Sequence, residues 1–309
     1  MAFSQEIYAK AIDMLRDMSL EKKRVYRQKE AELHDKIPEL ASIEQQIRAL
    51  NLKTVSAVFS GEGVADIHKE IKELSAKKSK ILKEHEQEEY SPVCSICDDR
   101  FLVNGKYCDC VAAAATEIAL KELYATVGAQ NYGFENFDIS YYPENCRGGM
   151  QKLYDFCKDY ADNFTGSSKN LLFMGKTGLG KTHLSVAIAK QVIKKGYGVK
   201  YYSAQNLFTV CEKEHFSYSG QTPQSDEMLT CDLLIIDDLG AEFITSFSKS
   251  ALYNIVNTRY NMGRPTIINT NFDVDQIEEK YGERIGSRFM GNYTAKLFKG
   301  NDVRQLKNQ

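Results

Sequence analysis

The chain has 309 residues, 43% of them hydrophobic and 27% charged, with a formal net charge of −2. That is an ordinary composition for a globular protein with room for about two domains, and it excludes bulk electrostatic capture of nucleic acid, so any such binding needs a local patch. No apolar run approaches the roughly 18 residues of a membrane helix, and the start Met-Ala-Phe-Ser-Gln-Glu lacks the basic and apolar regions of a signal peptide, which predicts a cytoplasmic chain with no membrane partner. Eight cysteines in such a compartment are expected as thiols or metal ligands rather than disulfides.

Residues 1–90 read as helical almost throughout. Apolar positions recur at Leu40, Ile43, Ile47 and Leu50, then at Ile67, Ile71, Leu74 and Ile81, one narrow seam per helix. Ser60-Gly61-Glu62-Gly63 breaks the two runs, and an earlier helix near 4–35 ends before Pro38. The expected solution is an antiparallel helical hairpin or short coiled coil. A narrow seam without aromatic bulk suits a protein-docking arm better than an enzyme core; a plain solvated bundle is the alternative.

Residues 91–127 hold a small module and a linker helix. Cys94 and Cys97 have the C-x-x-C spacing of a zinc knuckle, and Cys108 and Cys110 follow as a tighter C-x-C. The residues between, including Asn104-Gly105-Lys106, predict a hairpin that brings the pairs together. A closed Cys₄ zinc site is expected, with a structural role because no coordination position stays open. A redox role would call for a thioredoxin-like βαβ pattern, and none surrounds the pairs. Cys146, Cys157, Cys211 and Cys231 are scattered and read as packing residues.

Residues 128–309 switch to an α/β pattern, with strands separated by helices implying a parallel α/β/α sheet. Phe134 and Phe137 either line an adenine pocket or are core, and a helix spans about 149–165. Asn170–Met174 then reads as a buried strand running into Gly175-Lys176-Thr177-Gly178-Leu179-Gly180-Lys181-Thr182, the G-x-x-x-x-G-K-[ST] loop of P-loop NTPases, and His183 opens an amphipathic stretch. Glycines let the backbone wrap a phosphate, and successive N–H groups with the helix N-terminus point at the anion. Gly175 through His183 is therefore the candidate nucleotide-binding stretch. Lys181 would reach the β- and γ-phosphates and the Thr182 hydroxyl would bind Mg²⁺.

A second strand is expected at Gly198–Ser203, a helix from about Ala204, and a loop over the polar tract Ser217–Ser225. In the loop and the helix before it, Lys213, Phe216 and Tyr218 offer charge and stacking surface for single-stranded DNA. Cys231–Asp238 is the strongest strand and has the Walker B form, an apolar run delivering carboxylates to its carboxyl end. Asp237 is the candidate Mg²⁺ ligand, directly or through water, and Asp238 the candidate to polarise the lytic water. A helix near Ser246–Met262 leads into Pro265–Asn271. There Asn271 is placed to orient the water or touch the γ-phosphate, while Asn269 and Thr270 read as turn or cap residues.

In this order the phosphate loop, Leu-Ile-Ile-Asp-Asp-Leu-Gly, Arg-Pro-Thr-Ile-Ile-Asn-Thr-Asn and Tyr-Gly-Glu-Arg-Ile-Gly-Ser-Arg resemble AAA+ proteins of the DnaC/DnaI/IstB group over roughly residues 130–309. The helical region followed by a cysteine cluster looks like the amino-terminal half of DnaC/DnaI-like helicase loaders. The resemblance implies an AAA+ P-loop NTPase core that hydrolyses ATP with Mg²⁺, assembles with copies of itself, and binds single-stranded DNA. It also implies an amino-terminal part that grips a hexameric DnaB-type helicase. By the same resemblance Asn271 takes the sensor 1 position, Arg288 the arginine-finger position and Arg304 the sensor 2 position. For Arg284 and Arg288 the residues alone equally allow a helix-surface pair with Glu279 and Glu283. An IstB-like ATPase regulating a transposase on duplex DNA shares the core; IstB-like proteins usually lack the cysteine cluster. A nucleotide-gated scaffold with negligible turnover is a third reading. Two departures stand out. Asp238 occupies the place where AAA+ proteins usually carry Glu, which predicts slow hydrolysis, and only five residues follow Arg304, which predicts a minimal lid.

Overall fold

A sparse apolar repeat set among charges makes the first three elements helices: α1 (Gln5–Lys36), α2 (Pro38–Ser60) and α3 (Ala65–Glu84). The computed structural model describes residues 3–60, 64–85, 90–128, 131–216 and 224–303. The glycines of the predicted break at 61–63, Tyr218 with the polar tract as far as 223, and Arg304 lie outside them. Among the described residues no helix is long and apolar enough to cross a membrane.

The chain divides into two compact units, one of residues 11–111 and one of residues 1–10 with 112–309. This differs from the three segments expected from the sequence, 1–90, 91–127 and 128–309. Helical hairpin and cysteine module form one unit, while the first ten residues join the α/β part. The reason is burial: Phe3 and Ile7 are buried, Ile7 shares a cavity wall with Ala119, Leu123 and Tyr201, and Lys10 pairs with Glu122 at 2.9 Å.

In the first unit, α1 stops at Lys36 because a residue preceding proline resists helical backbone, while Pro38 is accepted at the first position of α2. Leu40, Ile43 and Leu50 are buried as the seam predicts; on α3 the seam residues are half-buried and Leu82, outside the predicted set, is buried. Near the start of α2, Glu44 meets Lys78 near the end of α3 at 2.5 Å, which makes the two helices antiparallel. His34 of α1 lies 3.2 Å from the same carboxylate, and Lys78 reaches Glu30 at 3.5 Å, so one buried carboxylate ties three helices. Burial works to raise the Glu44 pKa, but the Lys78 ammonium overrides it and holds the group below its ordinary value.

The cysteine module contains a two-residue hairpin, β1 (Leu102–Val103) and β2 (Lys106–Tyr107), paired Leu102 with Tyr107 and Val103 with Lys106. Asn104 (φ 51°) and Gly105 (φ 76°) are both left-handed, as a tight two-residue hairpin turn requires. Helix α4 (Asp109–Val127) follows.

In the second unit α5 (Glu144–Asp162) precedes β3 (Asn170–Met174), α6 (Lys181–Lys194), β4 (Val199–Ser203), α7 (Ala204–Phe216) and α8 (Gln224–Thr230). Then come β5 (Leu233–Leu239), α9 (Ser246–Asn261), β6 (Thr266–Thr270), α10 (Val274–Tyr281), α11 (Glu283–Asn292) and β7 (Tyr293–Leu297). The five strands β3 to β7 form one parallel sheet in the order β4-β5-β6-β3-β7. Leu234, Ile236 and Ile268 enter a core with residues of α7, α9 and α11. Their alternating neighbours Leu233, Ile235 and Ile267 are also fully buried and face the other way, so both faces are covered. The order places β6 between the glycine-loop strand β3 and the acidic strand β5, so the carboxyl ends of all three meet at one edge.

Candidate functional site

Between β3 and α6 the chain turns through the glycine loop. Gly175 has φ 139°, and a Cβ there would sit 2.6 Å from the Phe298 carbonyl; Gly180 has φ 88° and lies against the Phe137 ring. Neither position admits a side chain without displacing its neighbour, so those two glycines follow from space as well as from backbone. At the start of α6, Lys181 is 5% exposed and its ammonium donates to the carbonyls of Gly175 (2.6 Å) and Lys176 (2.8 Å) and to Asn271 Oδ1 (2.8 Å). A cation held at the mouth of a helix N-terminus is a site for phosphate.

The adjacent carboxylates of β5 take opposite environments. Asp237 is buried and accepts from the Thr182 hydroxyl at 2.9 and 3.2 Å. Asp238 is exposed, with φ 53°, where the β5–β6 pairing slips by a bulge between Ile236 and Leu239. A bulge re-aims a side chain, and a strained non-glycine residue at a strand end marks a place where position has outweighed comfort. Asp238 thereby lines one cleft with Lys181, Thr182 and Asn271, and Asp237 lies one hydrogen bond behind it.

Aromatic residues form the opposite wall. Tyr132 stacks on His183 at 4.9 Å, Phe137 meets the same imidazole edge-on at 5.2 Å, and Tyr142 donates to the Leu179 carbonyl at 2.9 Å. His183 Nε2 is 2.7 Å from the Gly133 carbonyl. The two phenylalanines weighed together in the sequence part company. Phe137 lines the cleft, whereas Phe134 starts a single 3₁₀ turn and packs edge-on against Tyr154.

Asn269 is corrected: it is a fully buried strand residue of β6, neither turn nor cap, and donates to Asp237 Oδ1 at 2.6 Å. Thr270, the last residue of β6, donates to the Leu239 carbonyl at 2.7 Å and accepts from the Phe272 N–H at 3.1 Å, so its hydroxyl does close the turn that leaves the strand. Tyr201, missed in the sequence, donates its phenol hydrogen to Asp237 Oδ2. Its only signal was a phenol hydroxyl on the strand expected at Gly198–Ser203.

Arg288 lies outside the cleft. On α11 it meets Tyr253, with Nη2 3.4 Å from the hydroxyl and the guanidinium 5.4 Å from the ring centroid. Lys213 lines the cavity beside Ile7 and Tyr201 rather than the cleft, and Phe216 is the last residue of α7.

The four cysteines converge in the other unit. All their sulfurs lie within 4.8 Å of one another, with Cys94 to Cys108 and Cys97 to Cys110 both 3.8 Å. Tetrahedral zinc with Zn–S near 2.3 Å requires sulfur separations of about 3.8 Å, so the donor set fits that ion in chemistry and spacing. The C-x-C pair reaches because Cys108 precedes α4 and Cys110 lies in its first turn. Asp99 braces the first knuckle, accepting from the backbone N–H of Cys94 (2.9 Å) and of Val93 (3.2 Å) and from the Ser19 hydroxyl (2.7 Å).

A parallel sheet with its phosphate loop, strand-end carboxylates and neighbouring asparagine at one edge defines a P-loop nucleotide-binding domain of the AAA+ kind. Residues 134–287 match the family of IstB-like ATP binding proteins. Over 178 residues the chain is 29% identical to the replicative helicase loader DnaC of Escherichia coli (strain K12), spanning 57% of this chain and 70% of that one. To the replicative helicase loader DnaI of Bacillus subtilis (strain 168) it is 29% identical over 168 residues, 52% of this chain and 51% of the relative. A crystal structure of the DnaC helicase loader superposes with a TM-score of 0.48 at 24% identity, covering 55% of this chain and 98% of that one. The second unit of this chain carries an AAA+ domain of the IstB/DnaC family.

Proposed function

We propose that the chain is an ATP-dependent loader that binds a DnaB-type replicative helicase through its helical unit and delivers it to single-stranded DNA. The observation that carries this reading is the cleft in which Lys181, Thr182, Asp238 and Asn271 converge, in a domain whose relatives are named replicative helicase loaders. The helical hairpin and cysteine module of the other unit supply a docking arm.

In this reading the glycine loop and Lys181 hold the ATP phosphates. Thr182 and Asp237 would hold magnesium, which would supply neutralisation of the phosphate charge. Asp238 accepts a hydrogen bond from the attacking water and Asn271 orients it, so that water adds to the γ-phosphorus and ADP leaves with phosphate released. Phe137, His183 and Tyr132 flank the base. Lys213, Phe216 and Tyr218 are proposed contacts for single-stranded DNA, through phosphate charge and stacking. The loading reading is tested by capture of the full chain on immobilised DnaB-type helicase with ATP present. Retention, with single strands preferred over long duplex, supports it. Absence of retention overturns it, and a preference for duplex turns the reading toward transposase regulation.

Arg288, outside its own chain's cleft, is proposed to reach the γ-phosphate of a neighbouring copy. Arg288→Ala is then expected to bind ATP normally yet lose turnover by roughly 10³-fold. Mixing it with Asp238→Asn should restore part of the activity, because each copy supplies what the other lacks. A mixture as inactive as its components counts against the finger role.

A further inference from the structure

Two side chains that play no part in the steps above close on Asp237 from either side. Tyr201 comes from β4 and Asn269 from β6, the two strands that flank β5. The phenol donates to Oδ2, and the amide Nδ2 donates to Oδ1 at 2.6 Å. With the Thr182 hydroxyl, three donors from three elements hold one carboxylate that is 6% exposed. A carboxylate is acceptor-only when ionised, so the amide nitrogen of Asn269 must face it. Ser185 Oγ, 2.9 Å from the same nitrogen and itself donating to the Thr182 carbonyl at 3.0 Å, fixes that orientation.

The arrangement is not what packing alone would select. Asn269 is fully buried and its Oδ1 has no hydrogen-bond partner among the described residues. An orphaned buried amide oxygen is a cost that an apolar residue of the same volume avoids, and it calls for an explanation in what the other end of the amide does. Asn269 also occupies the position on β6 between the partners of Ile236 and Leu239, where the bulge sets Asp237 and Asp238 against a single residue. It thus helps to define which of the two acidic side chains turns inward.

We propose that Tyr201 and Asn269 are positioning residues for the divalent cation, locking the Asp237 carboxylate beside the Thr182 hydroxyl before nucleotide arrives. The proposal rests on the ATP-and-magnesium reading given above and names the residues that make that ion's site preformed. Outer partners of a metal-site carboxylate fix its direction, and their removal weakens metal binding by about ten- to a hundredfold while leaving contacts elsewhere in the site intact.

The test uses the full-length chain and a fluorescent ATP analogue, titrated first in EDTA and then with increasing Mg²⁺. Tyr201→Phe keeps the ring and removes the donor. Its affinity for the analogue in EDTA should stay within about twofold of wild type, and the Mg²⁺ concentration at half-maximal tightening should rise about tenfold or more. Asn269→Leu should behave alike; if it fails to fold, Tyr201→Phe decides alone. An unchanged Mg²⁺ midpoint in a folded Tyr201→Phe chain overturns the proposal while leaving the nucleotide reading standing. A wild-type chain that binds the analogue but shows no response to Mg²⁺ removes the magnesium site and the proposal with it. Lys181→Ala serves as the control, since undiminished binding there in EDTA would instead sink the phosphate-loop reading.

Discussion

Lys181→Ala is expected to lose nucleotide binding almost completely. Its ammonium is buried at the N-terminus of α6 and held by the Gly175 and Lys176 carbonyls and by Asn271. A charge-assisted hydrogen bond contributes about 1.5–3 kcal/mol, so losing two contacts to the β- and γ-phosphates weakens binding by roughly a hundred- to ten-thousandfold. The loss should not come from unfolding, because alanine is the best helix former and the residues whose carbonyls it would leave are half-buried (Gly175) and exposed (Lys176). Arginine should not restore binding, since a planar fork cannot reproduce a compact ammonium folded back onto its own loop. Calorimetric titration with ATP and a thermal melt check both halves of the expectation. Affinity retained within about tenfold of wild type, in a folded chain, would contradict the assignment of Lys181 to the phosphates.

What could be read in advance divides along a physical line. The glycine loop was legible because its spacing is dictated by one short stretch of backbone wrapped around an anion, and nothing distant enters. Asp237 and Asp238 were legible because an apolar run that ends in two carboxylates is costly without a purpose. Asn271 stood at a strand end, where the chain's direction alone predicts it. Tyr201 and Asn269 were not legible, because their meeting at Asp237 depends on the order β4-β5-β6, and those strands are separated by helices in the chain. By type alone Asn269 reads as a turn or cap residue; inside a buried sheet its amide instead answers a charge. Phe134 and Phe137 were inseparable in the sequence because both precede the loop at similar distance. The 3₁₀ turn Phe134–Asn136 ends between them; both rings touch Tyr154, and Phe137 alone goes on to meet His183 at the cleft.

The exposed Asp238 shows the same limit from the other side. A strand reading predicts that adjacent residues alternate, one carboxylate inward and one outward, and the burial of the pair agrees. It does not predict the left-handed backbone at Asp238, which comes from the bulge against β6 and turns the shorter aspartate into the cleft that Lys181, Thr182 and Asn271 line.

Cys94→Ser is expected to have the second largest effect, on the other unit. Serine keeps the size of the side chain but not a thiolate, so the Cys94, Cys97, Cys108 and Cys110 set falls to three sulfurs. Metal analysis should then show about one zinc per wild-type chain and close to none in the variant. The structural consequence follows from how little else holds this module. Its hairpin has two residues per strand, and isolated hairpins are marginal in water. Four non-glycine residues, Asp98, Asp99, Phe101 and Asn104, have positive φ, a backbone that must be held by something. Asp99 supplies part of the hold through Cys94, Val93 and Ser19, but those bonds fasten one knuckle and leave the Cys108–Cys110 side free of it. Structural zinc in small domains supplies about 10–16 kcal/mol, far more than such local bonds. Chelation of the wild-type chain should therefore reproduce the variant's loss of structure, and re-addition of zinc should reverse it in the wild type alone. Nucleotide binding, which belongs to the second unit, should survive in both. Equal zinc content and equal melting behaviour in Cys94→Ser would show that the four sulfurs converge for packing and not for a metal.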